Sequence, residues 1–148
     1  MAEYLYPSQN VALNNALVFD NSIPCNRGNV YHENGTGIFI LRGNTPNCFA
    51  RYSVTYNGNI ALPEGATVTP IAVSIVVNGE QRVSSKSIFT PAAVEEYGNV
   101  TSTAIITVPR GCCFTLSVDA VAASVDPTVT PAPVIVADNN NLTIVRTA

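Results

Sequence analysis

Ionic and catalytic residue types are scarce in this chain, and each scarcity removes a class of function. Charged residues occupy 11% of its 148 positions, against about 25% in an ordinary soluble domain. The net charge is −3, with Lys86 the only lysine and no run of basic residues, so nucleic acid is not an expected partner. No window holds 18 consecutive apolar residues, so no membrane-spanning helix and no membrane partner are expected. The first residues, Met1-Ala2-Glu3-Tyr4-Leu5-Tyr6-Pro7, carry neither a positive stretch nor an apolar one and do not read as a secretory signal. The expected place of synthesis is the cytoplasm, with any route outward independent of a signal, such as cell lysis.

The residues that carry chemistry are equally sparse. His32 is the only histidine, beside Glu33 and an Asn34-Gly35 pair. It has no Gly-x-Ser-x-Gly nucleophile elbow to serve, and reads as a polar residue flanking a turn. Glu95 and Glu96 are adjacent, so in a strand they would point to opposite faces, unlike a working carboxylate pair. Asp138 with Asn139, Asn140 and Asn141 is oxygen-rich enough to suit calcium, but reads as a turn before the last strand. The four cysteines are Cys25, Cys48, Cys112 and Cys113. Adjacent Cys112 and Cys113 cannot easily place both sulfurs on one tetrahedral metal, and no second histidine completes a zinc set. Two readings of the thiols stand: buried small hydrophobes in a reducing cytosol, or a disulfide formed after release. The disulfide would join Cys25 to Cys48, or one of these to Cys112 or Cys113. No catalytic residue, cofactor or metal is expected.

What the chain has in quantity is apolar residues, 47% of the total, arranged with period two. Tyr52, Val54 and Tyr56 alternate with Arg51, Ser53 and Thr55. Ile71, Val73, Ile75 and Val77 alternate with Ala72, Ser74 and Val76. Ala104, Ile106 and Val108 alternate with Thr103, Ile105 and Thr107, and Phe114, Leu116 and Val118 with Thr115, Ser117 and Asp119. Alternation of β-branched and aromatic residues marks strands with one face in a core. Asn34-Gly35, Asn57-Gly58 and Asn78-Gly79 read as hairpin turns, since both positions tolerate positive φ. The prolines from Pro127 to Pro133 mark a longer loop. The nearest approach to a helix, Pro91 to Tyr97, spans one or two turns. The expectation is an all-β, two-sheet antiparallel sandwich of about eight to ten strands, in one domain.

Two runs are apolar on both faces: Gly37 to Gly43, and Ile71 to Val77. A strand apolar on both faces is covered on both faces. In a two-sheet sandwich the second cover is another subunit or a loop of the same chain. Ile38, Phe39, Ile40, Leu41, Ala72 and Val76 are therefore the candidate subunit interface.

The order of these pieces resembles the jelly-roll domain of the C1q/TNF group. Val18-Phe19, then His32 to Gly37, then Phe39-Ile40-Leu41-Arg42-Gly43, then Arg51-Tyr52-Ser53-Val54-Thr55-Tyr56 resembles its first half. Ile71 to Val77 with Asn78-Gly79, then Val108-Pro109-Arg110-Gly111 with Phe114 to Val118, then Asn141 to Arg146, resembles its second. The resemblance covers about residues 14 to 147 and is nearest the bacterial and phage-encoded versions, including the ends of collagen-like spore-surface filaments. Where the group often has Gly-Asp, this chain has Gly111-Cys112, which removes the acid some relatives use for calcium. The resemblance implies a C1q/TNF-like jelly roll over residues 14–148, assembled as a compact homotrimer around a threefold axis.

The function expected from these features is structural display on a virion surface, as a capsid decoration or head-fibre protein of a phage, with the major capsid protein or another virion protein as partner. Residues 1–13 would be the attachment arm, anchored by Tyr4, Leu5 and Tyr6, since tyrosine is enriched at interfaces. A bacterial surface or spore-coat adhesion module is the first alternative. A receptor- or carbohydrate-binding tip is the second, weakened by the absence of tryptophan.

Overall fold

The computed structural model describes residues 2–21, 29–124, 126 and 128–147. Eleven strands are present among them: β1 (Ala2–Ala12), β2 (Asp20–Asn21), β3 (Val30–His32), β4 (Phe39–Arg42), β5 (Phe49–Ala61), β6 (Ile71–Val77), β7 (Glu80–Gln81), β8 (Ser87–Phe89), β9 (Gly98–Pro109), β10 (Cys113–Ala122) and β11 (Val134–Arg146). One single-turn 3-10 helix spans Val83–Ser85. The expected helical turn at Pro91 to Tyr97 is instead a pair of bends and turns.

All pairings are antiparallel and form two sheets. The first runs β2-β1-β11-β5-β9. The second runs β3-β4-β10-β6-β7, with β8 also paired to β6. Each sheet mixes strands from both halves of the chain, so connections cross between sheets at the ends of the sandwich. The alternation read from sequence gives the two layers directly. Tyr52, Val54, Tyr56, Ile106 and Val108 from the first sheet meet Phe39, Leu41, Val73, Ile75, Leu116 and Val118 from the second, all buried in one core. At roughly 25 cal/mol per Å² of apolar surface removed from water, this shared layer is the main stabilising term.

Three turn readings had different outcomes. Asn78-Gly79 closes the β6–β7 hairpin with φ of 52° and 81°, the type I′ signature. Asn34-Gly35 lies in a turn whose Gly35 has φ 79°. Asn57-Gly58 is no turn at all, since it sits inside β5, paired to Thr101 and Val100. A side chain on Gly58 would collide with the Tyr56 hydroxyl, and the Asn140 Oδ1 lies just beyond. The glycine is there because the Tyr56 ring folds over it. Likewise, the Asp138 to Asn141 stretch is no turn before the last strand. It is a bulge inside β11, where the register with β5 shifts and Asn139 takes φ 53°. The bulge turns Asn140 inward, where its Oδ1 accepts the Tyr56 hydroxyl (2.6 Å) and its amide donates to the Tyr6 and Ala137 carbonyls. Burial raises the Tyr56 phenol well above its ordinary pKa, so it stays a donor.

Residues 2–13 of the expected arm are not free. Residues 2–12 form β1, in register with β11 from Ala2↔Ile144 to Ala12↔Val134. The strand alternates like the others. Tyr4 and Val11 face the core, while Leu5 faces outward. The domain therefore includes the segment expected to attach it.

Candidate functional site

The outward faces of the two sheets are the surfaces available for contact, and they differ. On the second sheet, Ala72 and Ser74 are 0% exposed and Val76 is 7% exposed in the single chain. The Val83–Ser85 turn closes the gap between β7 and β8 along the edge of β6. There Ser85 Oγ accepts from the Ile75 amide (3.1 Å) and Arg82 N–H donates to the Ile75 carbonyl. Lys86 then reaches past β6 to the Ala122 carbonyl on β10 (3.1 Å). The cover expected for the outer face of β6 is thus already present within one chain.

The expected interface set is redistributed accordingly. Phe39 and Leu41 are 0% exposed and point into the core, because β4 alternates and its odd positions face inward. Ala72 and Val76 have almost no surface to give. Only Ile38, at 50% exposure, and half-buried Ile40 remain on the outside. Tyr4, taken as an attachment anchor, is buried edge-on against Phe39 (4.6 Å between centroids) and His32 (5.0 Å). That burial pushes its phenol up to about 12. Leu5 is exposed and Tyr6 half-buried.

On the first sheet the outward face carries three rows that cross β11, β5 and β9 in register. They are Val145–Ser53–Ile105, Thr143–Thr55–Thr103 and Asn141–Asn57–Thr101. None of these nine side chains is charged. The hydroxyls and amides bond to one another. Thr101 Oγ1 and Asn99 Nδ2 both donate to Asn57 Oδ1 (3.0 Å each), and Thr143 Oγ1 donates to Asn141 Oδ1 (3.1 Å). Ile105 stands out of this polar field at 62% exposure. Seven uncharged Asn, Thr and Ser side chains thus share this outward face. The sequence signal for it was present in the outer residues of the alternating strands, but only the register joins them into rows.

His32 is not a surface residue. It lies on the inner side of β3, stacked on Phe39 at 4.1 Å, with Nε2–H donating to the Thr36 carbonyl (2.7 Å). Burial lowers its pKa, opposed more weakly by the Thr36 hydrogen bond and by Asp20. Its ring is enclosed by Tyr4 and Phe39, so it is placed for packing rather than proton transfer to a ligand.

Cys48, Cys112 and Cys113 are exposed and unbridged, which overturns their reading as buried hydrophobes. Cys25 lies outside the described residues. No group of three or more His, Cys, Asp or Glu side chains suited to a metal occurs among the described residues. At the opposite end of the sandwich, the loops 62–70 and 130–134 flank an open groove of about 590 Å³. Pro63, Ala66, Thr69, Thr130 and Pro131 line it, and its lining includes no aromatic ring on which a sugar could stack.

No family model matches the sequence, and no curated protein matches it. Solved structures do match the fold. The globular domain of zebrafish complement 1qA protein aligns over 96% of this chain and 94% of its own, with a TM-score of 0.58 at 9% identity. Murine APRIL aligns over 93% of this chain and 99% of its own, with a TM-score of 0.48 at 10% identity. The C-terminal domain of EclA, a sugar-binding protein, follows at 0.36 and 13%, over 84% of this chain and 89% of its own. The chain is a two-sheet, C1q/TNF-like jelly roll.

Proposed function

We propose that this chain is a non-catalytic display module that works as a homotrimer. The observation that carries this reading is the nine-residue uncharged band of Val145, Thr143, Asn141, Ser53, Thr55, Asn57, Ile105, Thr103 and Thr101 on the outward face of the first sheet. Charge is depleted at the centres of protein interfaces. The side chains of this band are short, two pairs of them (Thr101–Asn57 and Thr143–Asn141) are hydrogen-bonded, and they need little ordering on association. Ions lie at its borders: Glu3 beside Thr143, and Arg51 in the next row beside Thr107. The threefold contact therefore runs through this face rather than through Ile38, Ile40, Ala72 and Val76.

The setting we propose is a virion surface, with the trimer decorating a phage capsid. The scarcity of ionic and catalytic side chains and the resemblance to phage-encoded jelly rolls support it. Attachment does not use Tyr4, which is core. A bacterial or spore-surface module uses the same trimer and differs only in what carries it.

Light scattering of the purified protein at micromolar concentration is expected to give about three times the 15.6 kDa chain mass. Ile105→Asp is expected to reduce this to the single-chain mass while the β-sheet circular dichroism is retained. A wild-type monomer would sink the trimer. A trimer that survives Ile105→Asp but not Ile38→Asp would move the interface to the second sheet.

A further inference from the structure

The end of the sandwich where β4 crosses to β5 and β9 crosses to β10 combines exposed thiols with arginine. Cys113 begins β10 and lies directly opposite Arg42 of β4. Cys48 ends the β4–β5 crossover, and its carbonyl accepts from the Arg110 N–H (2.9 Å), one step beyond the last β5–β9 pair, Phe49↔Pro109. Residues opposed in an antiparallel ladder hold their Cβ atoms about 4.5–5.5 Å apart. Cys113 therefore has Arg42 as its cross-strand neighbour, with the guanidinium 5.9 Å from the Tyr31 ring centroid. Cys48 has Arg110 one step past the ladder, with its guanidinium donating to the Pro46 carbonyl (3.2 Å). Both thiols and both arginines are exposed.

The wider charge distribution reinforces the pattern. The same end holds Arg51, whose guanidinium lies 5.2 Å from the Phe49 ring, and Arg146, which donates to Asn29 Oδ1 (2.8 Å). Against these four arginines stand Glu3 and Glu80. The opposite end holds Glu64, Glu95, Glu96 and Asp126, with Lys86 the nearest cation among the described residues. A chain of net charge −3 thus presents a locally positive, thiol-bearing end. Such a field raises the local concentration of anions.

We infer that the Arg42–Cys113 and Arg110–Cys48 pairs form a site for thiol–disulfide exchange with small anionic disulfides, the chemical class of glutathione disulfide. In the step, the deprotonated protein sulfur attacks one sulfur of the disulfide. A new S–S bond forms, the old one breaks, and the other half leaves as a thiolate that takes up the proton the protein thiol gave to solvent. No other oxidant is required, because the disulfide itself is reduced. The guanidinium groups contribute by drawing in the carboxylates of the reagent. Both pairs lie outside the uncharged band, so trimer formation leaves them accessible.

The test uses the full, reduced protein at low ionic strength, with intact mass and peptide mapping as the readout. Three disulfides are compared: glutathione disulfide (anionic), 2-hydroxyethyl disulfide (neutral) and cystamine (cationic). At Cys48 and Cys113 the anionic reagent is expected to react roughly tenfold faster than the neutral one, with the cationic reagent slowest. About 0.5 M salt is expected to erase most of that spread. Arg42→Gln with Arg110→Gln should remove the anionic preference and leave the neutral rate unchanged. Equal rates for the three reagents, adducts confined to Cys112 or Cys25, or a bridge within the chain in place of adducts would each overturn the assignment. The salt series makes this decision even if the double variant folds poorly.

Discussion

The two sheets of this sandwich share one core but treat their outward faces in opposite ways. The second sheet closes its own. Ala72, Ser74 and Val76 of β6 are buried, with the 82–86 connection bonded along the strand edge. The first sheet leaves its face open and fills it with uncharged side chains that hydrogen-bond to each other. Both faces come from strands with the same period-two pattern. The difference teaches that an apolar outer face, as on β6, signals cover from within the chain, whereas an uncharged polar one, as on β5 and β9, is what remains suited to a partner.

That contrast is open to a direct break. Ala72→Asp puts a carboxylate into a fully buried site, where the nearby Lys86 is already engaged with the Ala122 carbonyl (3.1 Å). The cost is expected to be about 3 kcal/mol or more, a large part of the roughly 5–15 kcal/mol that holds an ordinary domain folded. Urea unfolding should show it as a lowered midpoint, or as a chain that does not fold. Ile105→Asp, on the other sheet, should cost only about 1 kcal/mol of chain stability while changing the oligomeric mass. Equal stability losses at the two positions would erase the distinction between the faces.

The sheets also differ in their response to acid. The only histidine belongs to the second sheet, and burial holds the His32 pKa below its ordinary value. The unfolded chain therefore takes up a proton near pH 6.5 that the folded chain resists. The stability linked to His32 is fully present above about pH 6.5 and is lost as the pH falls below it toward the folded pKa. Asp119 acts in the opposite sense, because burial raises its carboxyl pKa, countered more weakly by its Ser117 hydrogen bond. A melting temperature that falls between about pH 6.5 and pH 5 in the wild type, and stays flatter in His32→Gln, is the expected result. Identical slopes in the two proteins would remove His32 from the account.

The sequence carried much of this architecture and missed specific parts for physical reasons. Period-two runs at Tyr52–Tyr56, Ile71–Val77, Ala104–Val108 and Phe114–Val118 identified β5, β6, β9 and β10, because alternation is local. Asn78-Gly79 was legible for the same reason. Asn57-Gly58 looked identical and was misread, since its glycine answers to the Tyr56 ring and Asn140, 82 residues away from Gly58 in the chain. β1 read as an arm because its partner β11 lies at the far end of the sequence, and nothing within residues 2–12 announces that pairing. The candidate interface was placed on β4 and β6 because apolar content was visible, while the registered polar rows of the first sheet were not. His32 does flank the Asn34-Gly35 turn, but its burial was not legible, because the stacking that encloses it comes from Phe39 and from Tyr4 on another sheet.

The smallest expected effect tests whether the polar rows organise the open face or merely occupy it. Asn99 sits at the edge of the band on β9 and donates to Asn57 Oδ1 (3.0 Å), Asn59 Oδ1 (3.2 Å) and the Gly58 carbonyl (3.3 Å). These groups are exposed or half-buried, so water replaces most of what Asn99→Ala removes. A net loss of about 0.5 kcal/mol follows, at the low end for a hydrogen bond. If the network serves to hold the face in one arrangement for a partner, the same substitution should weaken the trimer at low concentration by more than it weakens the fold. Dilution series followed by light scattering, set beside urea midpoints, separate the two. A shift in folding stability with no shift in the dissociation range would make the rows a solvation device, and leave Ile105 and the absence of charge to account for assembly on that face.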